Sequence, residues 1–73
     1  MMPVIDDIIR FEGALWRVLG IGITNEAGEV YLHLGSTTRF RHQRNGRVPV
    51  QHADFISIEK IDVVENAGRE QEP

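Results

Sequence analysis

Four arginines and a histidine fall in the nine residues Arg39-Phe40-Arg41-His42-Gln43-Arg44-Asn45-Gly46-Arg47, with no carboxylate among them. The rest of the 73-residue chain is acidic enough to bring the formal net charge to -3. A guanidinium stays charged at any physiological pH, so this cluster is equipped to hold anions rather than to exchange protons. Its planar fork matches phosphate or carboxylate oxygens in pairs and also stacks on flat rings. Arginine outnumbers lysine seven to one, Lys60 being the single lysine. Arg39, Arg41, Arg44 and Arg47 projecting from a loop or splayed hairpin would focus a positive field on a nucleic-acid backbone or an acidic protein surface. Phe40 would add a stacking face, as would Tyr31 or Trp16 if exposed. The plainer alternative is a solvated loop whose arginines pair with Asp6, Asp7, Glu26, Glu29 or the acidic C-terminal residues.

Other reactive side chains form no competing constellation. His33, His42 and His52 are spaced too widely for a recognised metal site, and without cysteine there is no thiolate ligand. His52, Asp54 and Ser57 lie close together in sequence, yet neighbouring positions on one strand point to opposite faces, which argues against a catalytic triad. Gly20-Ile21-Gly22 lacks the third glycine and the following helix of a dinucleotide-binding turn. No catalytic residue, metal or cofactor is therefore expected. Trp16 reads as a core or interface residue.

The elements that must carry the cluster read as strands, because no segment sustains a 3.6-residue apolar period. Ile8-Ile9-Arg10-Phe11 is a short strand, Glu12-Gly13 a tight turn, and Ala14 to Thr24 a longer strand. Leu15, Leu19, Ile21 and Ile23 share one parity in it and Trp16 and Val18 the other, which predicts a bulge or sharp bend near Gly20. Asn25-Glu26-Ala27-Gly28 is a hairpin loop. From Val30 to Ser36 the alternation is clean, with Val30, Leu32 and Leu34 inward. Asn45-Gly46 marks a turn, and Val48 to Gln51 is a fourth strand, placed at an edge because Pro49 cannot donate to a ladder. Ala53-Asp54-Phe55 reads as a single helical turn before a closing strand, Ile56 to Ile61. Five short strands with one long mid-chain loop predict an all-β, SH3-like barrel.

The length allows one domain, residues 1–61, followed by a flexible acidic tail, 62–73. So small a core gains from association, and a homo-oligomer is expected. The N-terminal residues show no secretory pattern, and no apolar run spans a bilayer, so a cytoplasmic location and no membrane partner are expected.

Two segments resemble the plasmid-encoded type II dihydrofolate reductases, small SH3-like barrels that assemble as tetramers around a central pore. Asp6-Asp7-Ile8-Ile9-Arg10-Phe11-Glu12-Gly13-Ala14-Leu15-Trp16 is similar to that family's strand, turn and Gly-Ala-Ala-Trp stretch. Val50-Gln51-His52, followed by Ile58-Glu59-Lys60-Ile61-Asp62, is similar to its Val-Gln-Ile-Tyr run and closing Leu-Glu-Arg-Ile-Asn. The resemblance implies Gln51 at the pore glutamine and Arg10 at the pore lysine, with His52 and Ala53 in place of the isoleucine and tyrosine that contact cofactor and substrate. Three readings follow: a non-catalytic module binding through the arginines, a reductase-like tetramer, or a structural or protein-interaction subunit.

Overall fold

A computed structural model describes residues 1–67. It comprises five strands: β1 (Ile8–Phe11), β2 (Ala14–Thr24), β3 (Glu29–Gln43), β4 (Gly46–Ser57) and β5 (Asp62–Glu65), with a 3-10 turn at Ile58–Lys60. They form one antiparallel sheet in the order β4-β3-β2-β1-β5. The chain meanders through β4, then the 3-10 turn returns it beside β1. Among the described residues no pairing joins β4 to β5, so the hydrogen-bonded sheet is open. No helix among them is long and apolar enough to cross a membrane.

Turn chemistry sets the first two hairpins. Glu12 and Gly13 have φ of 50° and 76°, the left-handed pair that a two-residue turn between right-twisted strands requires. Between β2 and β3, Asn25 Oδ1 accepts the backbone N–H groups of Ala27 (3.1 Å) and Glu29 (3.0 Å). Gly28 supplies the positive φ, 77°.

The core is the set of inward positions on these strands: Ile9, Trp16, Val18, Val30, Leu32, Leu34, Ile56 and Ile61. The parity conflict in β2 is resolved by a register shift between Val18 and Gly20. Val18 pairs with Leu34, and after the extra residue Ile21 pairs with Leu32, so even positions face the core before the bulge and an odd one after it. Gly20 and Gly22 then lie opposite His33 and Tyr31, where a Cβ on Gly22 would come within 3.2 Å of Tyr31.

A buried carboxyl group secures the β1 side of the sheet, which β2 separates from the β3–β4 pair. Asp7 is wholly buried; its Oδ2 accepts the N–H of Val4 (2.9 Å) and its Oδ1 that of Ala67 (2.7 Å). Its backbone carbonyl accepts from Val18 (2.9 Å). One side chain thereby ties the N-terminal segment to residues sixty positions away.

Three sequence expectations change. Ala53-Asp54-Phe55 is not a helical turn but part of β4, its residues paired with His33, Leu32 and Tyr31. The helical turn comes later, at Ile58–Lys60, which divides the expected closing strand. The last strand, Asp62–Glu65, pairs with β1 and so carries the sheet past the boundary expected at residue 61. Val63 packs on the core, which is the apolar contact that draws this acidic segment into the fold. Residues 68–73 of the expected tail lie outside the described residues.

Candidate anion-binding hairpin

The arginine segment is not a loop. β3 and β4 run on through it as a regular antiparallel ladder: Phe40 opposite Pro49, Arg41 opposite Val48, His42 opposite Arg47 and Gln43 opposite Gly46. Arg44 and Asn45 form the turn, and Gly46 has φ of 119°, a conformation that L side chains rarely adopt. Pairing between β2 and β3 reaches no further than Trp16 and Ser36. Beyond that point, among the described residues, β3 pairs with β4 alone, and every residue from Thr38 to Arg47 is exposed. The cluster is therefore carried on a free two-stranded arm.

A local break in the ladder sets the arm on the sheet. Between Gly35 and Phe40, β3 has four intervening residues where β4, between Gln51 and Pro49, has one. Ser36, almost fully buried, stabilises this irregularity: its Oγ accepts the N–H groups of Thr38 (3.2 Å) and Arg39 (2.9 Å). Thr37 Oγ1 donates to the carbonyl of Leu15 (3.0 Å), which moors the bulge to β2. The preference of serine and threonine for bonding nearby backbone groups explains why this Ser-Thr-Thr run interrupts an otherwise regular ladder.

The arm distributes its cations over both faces and the tip. Cross-strand partners share a face, so Phe40, His42, Arg47 and Pro49 lie on one side and Arg41 and Val48 on the other. Arg44 occupies the turn. The Arg47 guanidinium stands over the Phe40 ring, 4.6 Å from its centroid, and that of Arg39 over Trp16 at 5.5 Å. Such stacking orients a guanidinium while leaving its N–H donors free for an anion. Among the described residues no carboxylate comes within ion-pairing distance of Arg39, Arg41, Arg44 or Arg47. None of the four pairs with Asp6, Asp7, Glu26 or Glu29, as the plainer alternative would have it, and the contribution of the acidic residues after Ala67 lies outside the described residues.

Charge is segregated more widely than the nine-residue cluster reveals. Between Glu29 and Asp54 there is no carboxylate, so the arm and its base carry four arginines and three histidines without an acid. All eleven acids, against three further arginines and Lys60, lie on the remaining sequence. This zone of uniform sign is visible in the sequence, but it becomes meaningful only once β3 and β4 are known to be continuous hairpin partners.

The other expected positions separate. Arg10 lies on β1 and Gln51 on β4, with β2 and β3 between them in the sheet. Gln51 Oε1 lies 2.7 Å from His33 Nε2. His52 packs beside Phe11 and Trp16, with ring centroids 5.4 and 5.9 Å away. Its Nε2 is shielded although the ring as a whole is partly exposed, and it lies 3.8 Å from Asp54 Oδ2, beyond hydrogen-bond distance. No group of three metal-ligating side chains occurs among the described residues. A cleft of about 250 Å³ opens at the foot of the arm between Arg17, Leu19, Phe40 and Pro49, a site that sequence reading missed because the bulge creates it. It is smaller than the roughly 300–1,000 Å³ of ordinary ligand pockets.

In comparisons with known proteins, the chain matches no family model, no curated protein and no solved structure.

Proposed function

We propose that this chain is a non-catalytic binding domain whose arginine arm contacts the phosphate backbone of a nucleic acid. The observation that supports the reading is the set of four exposed guanidinium groups on one arm, with no carboxylate paired to them among the described residues. Unpaired cations attract phosphates at long range and release condensed counterions on contact, so affinity comes without any base-specific fit. The acidic body works in the opposite sense. It repels a polyanion everywhere except at the arm, which orients the encounter and keeps the footprint small.

The experiment is an anisotropy titration of labelled oligonucleotides over a range of salt concentrations. If all four arginines engage phosphates of a duplex, log K falls against log salt with a slope near -3.6. Replacing Arg39, Arg41, Arg44 and Arg47 together by alanine should abolish that dependence. Absence of binding at low salt, or affinity unchanged in the fourfold variant, would refute the reading. Capture of polyglutamate in preference to oligonucleotides would place an acidic protein surface in the role instead.

A further inference from the structure

We infer that the arm enters the major groove of duplex DNA as a two-stranded ribbon, with arginines on its opposite faces meeting phosphates on the two walls of the groove. The inference rests on the phosphate-binding reading above and adds the form of nucleic acid and the mode of entry. A cation set suited to a flat anionic surface would occupy one face of the arm. Here Arg47 lies on the face of Phe40 and His42, Arg41 on the opposite face with Val48, and Arg44 at the tip. Only a ligand that presents phosphates on both sides can use Arg41 and Arg47 together.

Dimensions favour the same ligand. The major groove of B-form DNA, about 12 Å wide and about 8.5 Å deep, admits a two-stranded β-ribbon, whereas the minor groove is about half as wide. From Phe40 to the turn at Arg44 the arm advances four residues, roughly 13 Å at a strand's rise of about 3.3 Å per residue. That exceeds the groove depth, so the tip reaches the floor while the acidic body stays outside. The major groove of A-form RNA is too deep and narrow for this entry. Among the described residues no third strand pairs with the arm past Ser36, so the segment from Phe40 to the tip is the part free to enter a groove. Gln43 and Asn45, beside the turn, are the side chains positioned to meet base edges with amide donors and acceptors.

The test compares a 20-base-pair DNA duplex, its single strand and the equivalent RNA duplex in the same titration, using the full chain. The inference expects the DNA duplex to bind at least about 10-fold tighter than either alternative, with displacement by the major-groove ligand methyl green and not by the minor-groove ligand netropsin. Arg41→Ala and Arg47→Ala, one on each face, should each weaken duplex binding severalfold and lower the salt slope by about 0.9. Equal binding of single strand and duplex, displacement by netropsin alone, or sensitivity confined to one of the two arginines would overturn groove entry while leaving the phosphate-binding reading intact. Failure of every oligonucleotide to bind at low salt would overturn both. The wild-type comparison of oligonucleotide forms needs no variant, so misfolding of a substituted arm does not protect the inference.

Discussion

Asp7 and the arginine arm treat charged side chains in opposite ways. Asp7 is withdrawn from water, and each of its carboxyl oxygens accepts a backbone N–H. The arginines of the arm remain in water, two of them resting on aromatic rings and none paired with a carboxylate among the described residues. Burying a polar group is tolerable only when its hydrogen bonds are met internally, so Asp7 is committed to the fold. An exposed cation costs the fold little and keeps its donors available. Stability and the proposed binding surface thus rest on different parts of one sheet, the β1 side and the β3–β4 arm, so each should be open to change without the other.

The sharpest way to break this contrast is Asp7→Ala. Two backbone N–H groups lose their acceptor together, at roughly 1–3 kcal/mol for each donor left unsatisfied, so we expect about 2–6 kcal/mol of destabilisation by urea unfolding. A domain this small has little more than that to lose, and much of the protein should be unfolded in buffer. Should the variant unfold with the wild-type midpoint, the clamp has no structural weight and the division between the two parts fails.

Ser36→Ala tests the junction between body and arm. It removes the acceptor for the N–H groups of Thr38 and Arg39, and about 1–2 kcal/mol of stability should go with it. Amide exchange should quicken in residues 38–48 while the core remains protected, because a two-stranded hairpin has little stability of its own. Uniform acceleration throughout the sheet would mean that arm and body unfold as one unit. Gly46→Ala, which places a side chain at φ of 119°, should cost about 1 kcal/mol and disturb the tip alone, visible as shifted amide resonances near Arg44.

Arg44→Ala sharpens the comparison from the binding side. Its unfolding midpoint should correspond to a change within about 0.5 kcal/mol of wild type, since the side chain is exposed and has no ion-pair partner among the described residues. The salt slope for duplex binding should nevertheless fall by about 0.9. A loss of stability without any change in slope would invert the assignment of roles.

Much of the core was legible in the chain because period-two alternation reports directly on burial. Val30, Leu32 and Leu34 occupy the inward positions that their spacing requires, and Gly20 lies at the break in β2 that the conflicting parities require. The boundary at residue 61 was not legible. Asp62-Val63-Val64-Glu65 is too short and polar to announce a strand, and becomes one because β1 offers it an open edge and the core accepts Val63. The helical turn was displaced for a similar reason: Asp54 and Phe55 are held extended by pairing with β3, a tertiary contact that local propensity does not contain.

What the amino-acid order determined by itself was an all-β domain, its inward residues and a run of arginines without acids, since alternation and charge are properties of sequence alone. What only the tertiary structure decided was the arrangement of those arginines. Whether nine residues form a slack loop or a paired arm depends on whether β3 finds a register with β4 beyond the point where β2 leaves off. That register, anchored at its base by Ser36 and Thr37, puts Arg41 and Arg47 on opposite faces, because each step along a paired strand turns the side chain to the other side.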